Sequence, residues 1–281
     1  MLIRVHHRTR YVYDTETRYS VQTLRLTPQS FDGQRVLEWK IDAPGMEKAG
    51  SFRDCYGNMV HQITVTRPHT DVVVDVTGFV ETFDRAGVVR GLVEVAPVSV
   101  YLRRTPPTEA SDAIRKLATV GEGLDYVARL HALMHATRDA IDYVPGATNA
   151  HTSAAEALDD GKGVCQDHAH VMIAALRSLD RPARYVTGYL VGEAEAGHAW
   201  VEAFVDGLGW VGFDPANRVC PTDTYVRLAA GLDAATATPV RGARRGGGKE
   251  ALEVAVDVAP KESQQQSPSK GGSQSQSQSQ S

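Results

Sequence analysis

Three cysteines in 281 residues, Cys55, Cys165 and Cys220, cannot build a disulfide framework. An odd, widely spaced set is the usage of a reducing compartment. No pair of them has zinc-ligand spacing, so no metal site and no cofactor is expected. Long apolar runs are missing too, and nothing approaches the roughly eighteen residues a membrane-spanning helix needs. The opening "MLIRVHHRTRYVYD" is interrupted by charges and histidines and lacks the apolar core of a signal peptide. These absences lead to the expectation of a cytoplasmic protein. Nor is there an excess of one charge sign: the formal net charge is −4 with both signs mixed. Neither nucleic acid nor a membrane surface is therefore expected as a partner.

What is present divides along the chain. Residues 1–95 read as a β-rich domain of short strands between turn signals, a small sandwich or barrel. In "VLEWKID" the alternation puts Leu37, Trp39 and Ile41 on one face. The proline-bearing "APVSVYLRRTPPT" marks a crossover over 96–107. A core over 108–222 follows, with helical patterns at 108–119 and 123–141. In the second, Leu124, Val127, Leu130, Met134 and Ile141 form a stripe. Ser153 and Glu156 match a capping box, and Gly161 is placed to end that helix. Strands are expected near 183–191, 198–205 and 210–214. Helices first and strands afterwards define an α+β class. Residues 223–260 form an Ala-, Gly- and Arg-rich segment with one returning strand at "EALEVAVDV". Residues 261–281 are Ser- and Gln-rich and too poor in apolar side chains to fold, so disorder is expected.

The densest chemistry lies in "GKGVCQDHAH", residues 161–170. From Cys165 the apolar pattern continues through Ala169, Met172, Ile173, Leu176 and Leu179 on one helical face, until Pro182 stops it. Cys165 thus heads a helix, where free N–H groups and the dipole favour an anion and lower a thiol pKa. A metal site built from Cys165, His168 and His170 fails on geometry, because at about 100° per residue His170 points away from the other two. Asp167 and His170 are expected to solvate the first turns of this helix. His131 and His135 share a helix face, but with no third ligand apparent they read as structural.

A cysteine nucleophile needs a base and a group that orients it. His198 opens a strand in "GHAWVEAF", and Asp214 closes the next in "GWVGFDPAN". A hairpin centred on Asp206 would set His198 directly opposite Asp214. Trp200, Trp210, Tyr185 and Tyr189 flank these positions and read as core packing.

The stretch "TSAAEALDDGKGVCQDHAHVMIAALRSLDRPARYVTGYL", with "GHAWVEAF" and "GWVGFDPAN", resembles the transglutaminase-like superfamily in its bacterial branch. "VQTLRLTPQ" is similar to the β-domain that precedes the core there, and "TPVRGARRGGGKEALEVAVDV" to the segment that follows it. The resemblance implies a papain-like core after a small all-β domain. It assigns Cys165 as nucleophile, His198 as base and Asp214 as orienting acid. His168 stands where similar sequences often carry an aromatic such as Phe, and a core-lining role is expected for it. The implied activity is thiol acyl chemistry on amides of a peptide or protein substrate. Hydrolysis is favoured, and protein-glutamine transamidation by the same residues is the alternative. A non-catalytic binding protein of the same fold is the rival reading, with Cys165 as an ordinary thiol.

Overall fold

The computed structural model describes residues 1–192 and 197–261. The expectation of a disordered tail over 261–281 lies, apart from Lys261, outside the described residues. The chain forms strands β1 (Leu2–Thr27), β2 (Gln34–Asp42), β3 (Gly50–Arg53), β4 (Met59–Val65), β5 (His69–Thr82) and β6 (Val88–Val89). Helices α1 (Asp112–Leu117) and α2 (Tyr126–Ala140) precede strand β7 (Asp142–Tyr143). Then come α3 (Ala154–Asp160), β8 (Lys162–Gly163) and α4 (Cys165–Ser178). Strands β9 (Ala183–Leu190), β10 (His198–Val205), β11 (Gly209–Phe213) and β12 (Tyr225–Gly231) lead to α5 (Ala234–Ala237), β13 (Val240–Gly246) and β14 (Glu250–Pro260). The fold is mixed α and β, with a β-rich N-terminal region followed by a core of helices packed on a five-stranded sheet.

The N-terminal region is organised around one strand of 26 residues rather than a series of short ones. The first half of β1 lies between β5 and β14, and its second half between β4 and β13. Register breaks between Val12 and Tyr19 let the strand change neighbours. The expectation of a single returning strand after 223 is corrected here. That segment contributes three strands: β12 to the core sheet, and β13 and β14 to the sheet of β1. β14 is the returning strand that was read; the Ala, Gly and Arg content of β12 and β13 hides these two from a propensity reading, and pairing with distant strands supplies what propensity does not. The expected Leu37–Trp39–Ile41 face is also broken. A bulge between Val36 and Glu38 turns Leu37 out to 50 % exposure, while Trp39 and Ile41 pack inward.

The core sheet runs in the order β12-β9-β10-β11-β6, and α4 packs against β9 and β10. Around that contact Val171, Met172, Ile173, Val201, Ala203 and Phe213 are buried in one cluster with residues of α1 to α3. The second helical stripe starts later than expected. Asp125 accepts a hydrogen bond from the Ala128 N–H at 3.0 Å and caps α2, which leaves Leu124 outside the helix and exposed. α3 carries the expected capping box, and Gly161 follows it in the left-handed region at φ 63°. On the far side of the core sheet, Glu202 is fully buried between Arg184 and Arg227. Burial alone would raise its carboxyl, but the two guanidinium groups bring it down to about 2.

Candidate active site

Cys165 is the first residue of α4, reached through a turn that packing holds in place. The parallel pairing of β7 with β8 sets Tyr143 beside Gly163, and the Val144 N–H bonds the Gly163 carbonyl at 2.9 Å. The Asp167 carboxylate accepts the Val164 N–H at 2.8 Å and the Thr148 hydroxyl at 2.5 Å. Gly163 fits because a side chain there would meet Asp167: a Cβ would lie 2.7 Å from the Asp167 Cβ.

Asp167 serves the first turn of α4 by accepting the Val164 N–H, and both Asp167 and His170 are buried. The reason is that α4 is enclosed by the sheet on one side and by α1, α2 and α3 on the other. Its polar residues therefore take protein partners. His170 Nε2 accepts the Ala234 N–H at 3.1 Å, and burial lowers its pKa to about 4. His168 lines the interior as expected, with Nδ1 2.8 Å from the Val164 carbonyl and Nε2 3.0 Å from that of Ile141. Carbonyl oxygens only accept, so each of these bonds requires an N–H on the ring nitrogen that faces it.

His198 and Asp214 are brought together, though not by the pairing expected. The hairpin pairs Val205 with Gly209 and Val201 with Phe213, so its centre is Gly207 rather than Asp206. Gly207 and Gly209 both take positive φ, at 81° and 87°, which glycine adopts without steric cost. Extended by one step, this register sets Asp214 opposite Trp200 and makes His198 its diagonal neighbour on the same face. The side chains close the gap, with His198 Nε2 2.7 Å from Asp214 Oδ2, both groups buried. Asn217 and Tyr225 complete the setting. The Asn217 side-chain amide donates to Asp214 Oδ2 at 2.9 Å and the Tyr225 hydroxyl at 2.8 Å. Burial acts to raise the Asp214 carboxyl, but the hydrogen bonds from His198, Asn217 and Tyr225 hold it below the ordinary value. Sequence reading missed both partners. Asn217, three residues past Asp214, carried a turn signal; Tyr225 carried none.

Cys165 and His198 line one cleft of about 770 Å³, with Asp214 behind the histidine. Tyr185, Thr187 and Tyr189 of β9 also line it, as do His7, Thr9 and Tyr11 of β1. His7 bonds the Tyr189 hydroxyl at 2.8 Å through Nδ1 and Thr9 Oγ1 at 2.8 Å through Nε2, and burial lowers its pKa to about 4. His131 instead packs edge-on to Phe213, and Cys220 is half-buried with its thiol pushed up to about 11 by burial. Among the described residues no group of His, Cys, Asp or Glu has the arrangement of a metal site.

The family model for the transglutaminase-like superfamily matches residues 113–215, and that for the bacterial transglutaminase-like N-terminal region matches residues 3–81. An uncharacterised protein of Mycobacterium leprae is 31% identical over 277 residues, covering 91% of this chain and 98% of that one. A crystal structure of a candidate cysteine protease from Cytophaga hutchinsonii shares the fold at TM-score 0.74 and 24% identity, covering 95% of this chain and 92% of that one. A protein-glutamine gamma-glutamyltransferase of Pseudomonas aeruginosa is 36% identical over 91 residues, 28% of this chain and 13% of that one. The chain belongs to the transglutaminase-like superfamily.

Proposed function

We propose that this protein is a cysteine-dependent acyl-transfer enzyme that hydrolyses a peptide or isopeptide bond in the cytoplasm. In this reading Cys165 is the nucleophile, His198 the general base and acid, and Asp214 the group that orients it. The observation that carries it is the buried His198–Asp214 hydrogen bond of 2.7 Å beside a cleft that also holds Cys165 at a helix start. The Cys165 thiolate attacks the carbonyl carbon. His198 then gives its proton to the leaving amine, and the acyl group remains on sulfur. Water, losing a proton to His198, releases the acid and restores the thiol. The backbone amides of Cys165 and Gln166 at the start of α4 are suited to receive the oxyanion. Asp214, held below the ordinary carboxyl pKa, supports the imidazolium that forms in between.

Transamidation uses the same residues with an amine in place of water. The similarity to the Pseudomonas aeruginosa gamma-glutamyltransferase favours it as the second reading. The first test follows alkylation of Cys165 against pH by peptide mass spectrometry, in the native chain and in His198→Ala, with Cys55 and Cys220 as internal controls. Fast alkylation persisting well below the ordinary thiol pKa of about 8.5, and altered in the variant, is the expected result. A Cys165 profile like that of a free or buried thiol in both proteins would remove the proposal.

A further inference from the structure

The wall of the cleft opposite the helix start is supplied by the N-terminal sheet, and its character changes along one strand. On the inner face of β14, Val256 and Val258 are each 6 % exposed and pack with Leu228 and Val226 of the core sheet. Farther along the same face, Val254 and Leu252 are 39 % and 56 % exposed, although they are as apolar as the residues before them. They pair with Thr9 and Tyr11 of β1, and all four line the cleft that holds Cys165 and His198. Leu228, Pro239 and Val240 continue this apolar wall. Charged residues make up 23% of the chain, yet no described residue lining the cleft is Asp, Glu, Lys or Arg. The histidine beside the wall, His7, has its pKa lowered to about 4 by burial and adds no charge at neutral pH.

We propose that this wall selects the substrate: the cleft takes a neutral stretch of peptide carrying a large aliphatic or aromatic side chain, seated on Tyr11, Leu252 and Val254. The inference rests on the reading of Cys165 as nucleophile and adds the substrate class to it. An apolar side chain there leaves water for an apolar surface. A charged one would lose its hydration with no described countercharge to meet it. A volume of about 770 Å³ accommodates several residues of a peptide. Residues 262–281 of the chain itself, "ESQQQSPSKGGSQSQSQSQS", offer no side chain of this class. Specificity is thus assigned to a strand that follows the catalytic segment in sequence and belongs to the other sheet.

The test uses the full chain and blocked peptides identical except at one position, filled by Leu, Phe, Ser, Asp or Lys. Each peptide is assayed for cleavage and, independently of turnover, for protection of Cys165 against iodoacetamide. The Leu and Phe peptides should be favoured by at least about tenfold, the discrimination an apolar pocket typically delivers. In the double variant Leu252→Ser, Val254→Thr the ratio of Leu to Ser peptide should fall toward one. A ratio is insensitive to partial loss of folded protein. Equal protection by all five peptides, or a preference for Asp or Lys, would overturn the inference and leave the chemistry of Cys165 standing. A Leu preference that survives in the double variant would overturn the role of β14. An ordinary Cys165 thiol that no peptide protects would remove both proposals together.

Discussion

Lowering the pH from about 7.5 to about 5 should destabilise the folded chain through His170, whose ordinary pKa is about 6.5 in an unfolded chain. In the folded chain its Nε2 accepts the Ala234 N–H at 3.1 Å, which requires that nitrogen to be unprotonated. Burial lowers its pKa to about 4; Asp233 opposes the shift and Arg177 adds to it. A depressed histidine pKa contributes stability that is fully present above about 6.5 and lost as pH falls toward about 4, because the unfolded chain takes the proton first. The gap between about 6.5 and about 4 corresponds to about 3 kcal/mol when complete, and to about 2 kcal/mol at pH 5. His170→Gln keeps an acceptor for Ala234 and removes the titration. Urea unfolding of both proteins at the two pH values should show the native chain losing about 2 kcal/mol more than the variant. His7, likewise lowered to about 4, is present in both proteins and cancels in the difference. Equal losses in the two proteins would refute the argument.

The remaining predictions concern the groups that hold the site and its sheet. Glu202→Gln leaves Arg184 and Arg227 buried without their shared carboxylate and should cost about 3–5 kcal/mol in urea unfolding. A loss below about 1 kcal/mol would mean that the ion cluster relaxes freely. Asp167→Ala releases the Val164 N–H and the Thr148 hydroxyl, so a loss of about 1–3 kcal/mol is expected. The Val164 amide should also exchange faster with solvent, which hydrogen-exchange mass spectrometry reads. Asp214→Asn should leave the chain folded while turnover of a cleaved peptide falls by on the order of 10³–10⁴. Its carboxylate contributes stability above the unfolded pKa that is lost as pH falls through the lower folded one, so the variant should also lose part of the native acid transition.

Sequence alone determined what local chemistry decides. The Ser153–Glu156 capping box, the αL glycine after α3 and the apolar period from Cys165 act within a few residues, and each stands where it was read. The pairing of His198 with Asp214 was legible in part. Side-chain direction in a strand alternates, so moving the hairpin centre from Asp206 to Gly207 changed the partner opposite but kept both residues on one face. Tertiary structure decided the rest. Nothing local reveals that α4 lies between the core sheet and helices α1 to α3, and so the burial of Asp167 and His170 could not be read from their own segment. The bulge at Leu37 and the splitting of residues 223–260 between two sheets depend on partners distant in sequence. The wall of the cleft is the clearest case. Tyr11 and Leu252 lie 241 residues apart and become neighbours only because β14 returns to pair with β1. Burial and strand pairing are properties of what a segment meets, and a segment's own residues specify only the part of that which is local.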